Sequence, residues 1–139
     1  LLDMRADQGQ IPQVVQALQA HLTPHTLIFL QGDLASGKTT FVQHFCKAHN
    51  APSATSPTFS LLHIYNAQNL CIYHYDFYLK DFNELHALGV LENLEQAGVH
   101  FIEWGDTRLL AWLKSCGFLP LILSLERGKE SCRYTLTHG

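Results

Sequence analysis

An α/β fold, with a mixed and mostly parallel central sheet flanked by helices and an antiparallel hairpin at one side, is predicted by three features of this 139-residue sequence. The first is an apolar run at 26–30, followed by the glycine-bearing stretch GDLASGKTT and a helical pattern over 39–49. The second is a pair of apolar runs that each end in an acid, Asp76 and Glu103, with helical spacing between them. The third is two β-rich pairs split by short connections at 66–69 and 127–130. Apolar strands alternating with amphipathic helices are the pattern of a sheet covered on both faces.

Composition narrows the class further. With 47% apolar and 15% charged residues the chain reads as compact, and its length suits a single domain over 1–139. The formal charge is −3 and the nine basic residues are scattered, which argues against binding bare nucleic acid through a basic face. Four cysteines without a C-x-x-C pair read as reduced, mostly buried thiols. No apolar run approaches the roughly 18 residues of a membrane span, and Asp3, Arg5 and Asp7 argue against an ordinary signal peptide. A cytoplasmic protein with no membrane contact is therefore expected. The nine histidines fall in no recognisable ligand spacing, so a structural zinc site is not expected.

Residues 1–5 are predicted as an edge strand, ended by Asp7 as the cap of a helix. In that helix Ile11, Val14, Val15, Leu18 and Leu22 share one face, Pro12 is tolerable only in the first turn, and Thr23-Pro24 stops it. The run 26–30 lacks alternation, as in a strand buried on both faces, and Phe41, Val42, Phe45, Cys46 and Ala48 then keep close to helical spacing. Residues 50–57 form a polar loop interrupted by proline, and 59–65 with 70–76 read as an antiparallel hairpin. Two short helical pieces, 81–88 and 90–97, break at Gly89 and end at Gly98 as a C′ residue. A strand at 99–104, a helix at 107–116 and a hairpin of 119–126 with 131–138 complete the chain.

The chemistry concentrates in the glycine stretch. Gly32, four residues, then Gly37, Lys38 and Thr39 match the phosphate-binding loop in full, and strand, loop and helix come in the required order. Backbone amides of 35–39 would curl around a phosphate chain at the positive end of the helix. Lys38 would reach the β and γ oxygens, the Thr39 hydroxyl would ligate Mg²⁺, and Thr40 would add an α-phosphate contact. Asp76 and Glu103 stand at the C-terminal ends of strands, where ligands bind in open sheets. One should serve the metal and the other orient water, and spacing alone does not rank them. Thr55, Ser56 and Thr58 lie in a loop that is either an ordinary surface segment or one that senses the γ-phosphate. Trp104 reads either as core or as a cover on the base, and Arg127 either as a solvated turn residue or as a nucleotide contact.

Taken together, GDLASGKTTF, SPTF at 56–59, HYDFY at 74–78, Leu88-Gly89 and IEW at 102–104 resemble the bacterial TsaE (YjeE) family of small P-loop ATPases. The resemblance implies a single-domain P-loop NTPase fold. It also implies an ATPase that supports threonylcarbamoyladenosine formation in tRNAs reading codons that start with A, with ATP and Mg²⁺ as cofactors. The expected partners are the TsaD and TsaB proteins, with tRNA engaged only indirectly. By position, Gly32, Asp33, Leu34, Ala35, Ser36, Gly37, Lys38, Thr39 and Thr40 hold the phosphates. Ser56 and Thr58 fall in the switch-like loop, Asp76 is the Walker-B-like acid, and Glu103 with Trp104 forms the second acidic motif, Glu103 being the acid nearer the metal. Lys38, Asp76 and Glu103 carry the catalysis, and Arg127 falls beside the nucleotide.

Two departures from the family pattern stand out. Ala35-Ser36 replaces an inner Gly-Ala, at a cost of about 1 kcal/mol if the backbone there needs positive φ. Leu79-Lys80 stands where an arginine is common. Two other readings compete: a small-molecule kinase, for which only Arg5, Arg108, Arg127 and Arg133 are available as lid cations, and a docking module whose bound nucleotide, rather than its hydrolysis, holds a partner.

Overall fold

The computed structural model describes residues 1–33, 36–51 and 61–139. Leu34 and Ala35, and the expected γ-phosphate loop with Thr55, Ser56 and Thr58, lie outside the described residues.

Among the described residues the strands are seven, β1 (Leu2–Ala6), β2 (His25–Gln31), β3 (Leu62–Ala67), β4 (Leu70–Asp76), β5 (Gly98–Glu103), β6 (Leu121–Arg127) and β7 (Cys132–His138). They form one sheet in the order β1-β7-β6-β2-β5-β4-β3. The parallel pairings are the central ones, β6 with β2, β2 with β5 and β5 with β4. Antiparallel pairings close both flanks, β1 with β7, β7 with β6 and β4 with β3. Burial follows this placement: every residue of β5 is buried, whereas β6 and β7 alternate. A central strand has helices on both faces, and a flanking strand has one face toward water.

Among the described residues four α-helices cover the sheet: α1 (Ile11–Gln19), α2 (Lys38–Ala48), α3 (Phe82–Ala87) and α4 (Thr107–Ser115). On one face Val14, Val15 and Leu18 of α1 and Phe41, Val42 and Phe45 of α2 pack on Ile28, Leu30 and Phe101. On the other, Leu85, Leu109 and Leu113 pack on Leu27, Phe29 and Ile102. Successive residues of β2 thus serve opposite layers, as the two-residue repeat of a strand requires. That double anchoring fixes the C-terminal end of β2, from which the glycine stretch departs.

Several boundaries depart from the sequence reading. Asp7 caps a short 3₁₀ helix, Gln8–Gln10, in a reciprocal capping box with Gln10, and α1 stops at Gln19, before Thr23. The second helical piece is a 3₁₀ helix, Val90–Glu95, with Leu91 and Leu94 in the eclipsed i, i+3 relation of that helix. Gly98 is not a helix C′ residue. It opens β5 at φ 137°, where a Cβ would collide with the Cys71 carbonyl oxygen. Of the four cysteines, all free thiols, Cys46 and Cys132 are buried but Cys116 is exposed.

Toward the N-terminal ends of β2 and β5, away from the glycine stretch, lies a buried polar cluster. His100 is fully buried, stacked on Tyr73 at 4.2 Å between ring centroids, and hydrogen-bonded to the Gln96 carbonyl and to the Tyr75 hydroxyl, each at 2.7 Å. A carbonyl only accepts, so Nε2 carries the hydrogen and Nδ1 accepts from Tyr75. Burial pushes the His100 pKa down to about 4, with the nearby His25 acting in the same direction and the Gln96 bond opposing. Between pH 6.5 and 4 the unfolded chain therefore binds a proton that the folded one refuses, and stability falls as pH falls. The full loss is about 3 kcal/mol. Urea unfolding at pH 7 and 4.5 measures it. The decline is expected to be shallower in His100→Gln, and an equal decline in both proteins contradicts the assignment.

Candidate functional site

The glycine stretch closes tightly against β6. At Gly32, φ is 156°, and a Cβ would lie 2.5 Å from Ser36 Oγ and 2.8 Å from the Leu125 carbonyl oxygen, so only glycine lets the chain turn there. Ser36 N donates to the Asp33 carbonyl at 3.0 Å, and Gly37, at φ 97°, leads into α2. Ser36 Oγ is buried and has no hydrogen-bond partner among the described residues. The first amides of an α-helix have no partner within the helix, which makes the start of α2 at Lys38 attractive to an anion.

Lys38 is buried, with 3% of its surface exposed. Its Nζ donates to the Gly32 carbonyl at 2.6 Å and sits 3.6 Å from the centre of the Trp104 ring. Burial lowers its pKa, against the opposing pull of the Glu103, Asp33 and Asp76 charges. Trp104 holds φ 61°, a conformation that costs a bulky side chain roughly 1–3 kcal/mol. That turn out of β5 carries the indole over the ammonium, with the Tyr78 ring 5.0 Å away. Trp104 is half-buried over Lys38 and belongs to neither apolar core cluster.

Glu103 ends β5, buried at 5% exposure, and its Oε2 accepts from Thr39 Oγ1 at 2.9 Å and from His74 Nε2. Burial alone would raise its pKa, but the His74 hydrogen bond and charge, the Thr39 hydroxyl and the Lys38 charge together hold the carboxyl below its ordinary value. Asp76 stands opposite Glu103 in the β4–β5 register, yet it is exposed, and its Oδ1 accepts from the Tyr78 amide at 3.1 Å. Strand order thus brings the acids side by side while burial separates them.

Thr40, Gly37 and Ser36 also line a cavity of about 220 Å³, bounded by Asp7, Ile11 and the 127–132 turn. The Arg127 guanidinium lies on this side, 3.8 Å from where a Cβ on Gly37 would be. The sequence reading gave no role to His74. Its position two residues before Asp76 carries the signal, because alternate strand residues share a face.

A phosphate-loop motif at the end of a central parallel strand, with a buried lysine and a hydroxyl–carboxylate pair beside it, defines an α/β protein of P-loop type. The family model described as threonylcarbamoyl adenosine biosynthesis protein TsaE matches residues 5–130. The chain belongs to the TsaE family. It is 39% identical over 137 residues to the tRNA threonylcarbamoyladenosine biosynthesis protein TsaE of Rickettsia conorii, covering 94% of this chain and 75% of that one. To the TsaE of Bacillus subtilis it is 34% identical over 92 residues, covering 66% of this chain and 58% of the relative. The crystal structure of Bacillus subtilis YdiB shares the fold, with a TM-score of 0.70 and 24% identity over 97% of this chain and 83% of that one. Among the described residues no helix is long and apolar enough to cross a membrane.

Proposed function

We propose that this chain is an Mg²⁺-dependent ATPase of the cytoplasm that supports threonylcarbamoyladenosine modification of tRNAs reading codons that start with A. The observation that carries the reading is the meeting of Thr39 and Glu103 at 2.9 Å beside the buried Lys38, at the end of the glycine stretch. A hydroxyl and an ionised carboxylate are hard oxygen donors of the kind Mg²⁺ takes, so the residues fit the metal. The tight Gly32 turn and the Ser36 hydroxyl, buried and unpartnered among the described residues, fit a phosphate chain. Mg²⁺ bound there would neutralise charge on the β and γ oxygens.

The chain's own groups divide the remaining work. Lys38, now on the Gly32 carbonyl, would donate to phosphate oxygens, and Thr39 and Glu103 would hold the metal. Thr40 and Arg127 approach the nucleotide from the cavity side, and Trp104 keeps water from the lysine. In this reading TsaD and TsaB are the partners, Ser56 and Thr58, outside the described residues, are the candidate γ-phosphate sensors, and tRNA is reached only through the partner proteins. With scattered cations and a charge of −3, direct tRNA binding is not part of this reading.

A docking module with little hydrolysis is the second reading, favoured by one observation: Asp76 is exposed and turned to the Tyr78 amide rather than to Thr39. A small-molecule kinase is disfavoured by its arginines, since Arg133 pairs with Asp3 and Arg108 lies over Phe82. The test is Mg·ATP hydrolysis by the chain alone and with TsaD and TsaB from the same source. Slow turnover accelerated by the pair is expected. Tight nucleotide binding without turnover in either setting selects the docking module, and turnover only with an added acceptor selects the kinase.

A further inference from the structure

We propose that His74 is a positioning residue for the metal-binding carboxylate, holding Glu103 in the orientation that meets Thr39. The inference rests on the Mg·ATP reading of the site and deepens it. Asp76 and Glu103 are register partners on parallel strands and so share a face, and His74, two residues earlier on β4, shares that face beneath them. Its side chain is 9% exposed and that of Glu103 is 7% exposed, so their hydrogen bond is sheltered from water. An ionised carboxylate only accepts, which makes His74 Nε2 the donor to Oε2.

The same Oε2 accepts the Thr39 hydroxyl. Two donors arriving from different elements, β4 and the first turn of α2, fix the carboxylate plane where one would leave it free to rotate. Neither of these bonds falls on Oε1, which is therefore the oxygen open to a hard cation. Outer partners of this kind set ligand orientation in metal sites, and their removal typically costs 10–100-fold in metal affinity. His74 acts through Glu103 and touches neither nucleotide nor metal.

The experiment is calorimetric ADP binding to the full chain, titrated with Mg²⁺ and repeated in EDTA, for the wild type, His74→Phe and His74→Gln. His74→Phe is expected to raise the Mg²⁺ half-saturation concentration roughly tenfold, with metal-free ADP affinity within about twofold. His74→Gln, whose side-chain amide keeps an N–H donor near the Nε2 position, restores the wild-type half-saturation. If His74→Phe does not fold, His74→Asn, whose shorter amide falls short of Glu103, takes its place. An unchanged half-saturation overturns the proposal, as does an equal loss with and without metal, which marks a general packing role. A wild-type protein whose ADP binding ignores Mg²⁺ overturns the metal reading itself, and the proposal with it.

Discussion

Lys38→Ala is expected to slow hydrolysis severely and weaken nucleotide binding while leaving the fold intact. The ammonium is buried and held by the Gly32 carbonyl at 2.6 Å, with the Trp104 ring as its cover. A loop carbonyl and an aromatic face take the place of water around the charge, which is therefore largely desolvated. Charge-assisted hydrogen bonds to phosphate are worth roughly 1.5–3 kcal/mol each, so the variant should bind ATP about 10–100-fold more weakly. Charge that develops only in the transition state loses its stabiliser as well, and turnover should fall by about 10³-fold. Calorimetry and single-turnover hydrolysis read the two effects separately. Near-normal turnover would falsify the assignment of chemistry to this loop. The cation–π contact with Trp104 is lost too, at roughly 1 kcal/mol, which a melting curve reads as a shift of a few degrees.

The second large effect belongs to Glu103→Gln. The substitution keeps the shape and leaves an oxygen for Thr39 or His74, but it removes the negative charge that faces Lys38. Metal-free nucleotide binding should change little, whereas Mg²⁺-supported hydrolysis should drop by about 10²–10³-fold. The exposed Asp76 provides the contrast: Asp76→Asn is expected to cost less, because its carboxylate meets the Tyr78 amide and not Thr39. The comparison is single-turnover hydrolysis of both variants under saturating Mg·ATP. A larger loss for Asp76→Asn would reverse the ranking of the two acids.

The buried His100 and the half-buried Trp104 show how far local pattern reaches. An apolar strand ending in Glu103 was readable because β5 is buried along its whole length. The left-handed turn at Trp104 had no local signal, and the residue its indole meets, Lys38, lies sixty-six positions earlier in the chain. The Gly98 assignment failed for a related reason. A glycine after a helical stretch suggests a helix end, and only the approach of the Cys71 carbonyl from β4 reveals that it opens a strand.

By itself the sequence determined the class of fold and located the glycine stretch that matches a phosphate-binding loop. An apolar run, Gly32, Gly37, Lys38 and Thr39, and a helical repeat lie within about two dozen residues, and their geometry follows from backbone sterics and local hydrogen bonding. It also marked both acids, because strand ends can be read from local pattern. Tertiary structure alone decided which acid is buried against Thr39, that His74 stands behind it, and that Arg127 returns beside Gly37. These depend on which strands pair and in what register, and that choice is made by burial summed over the whole sheet rather than by any single stretch of chain.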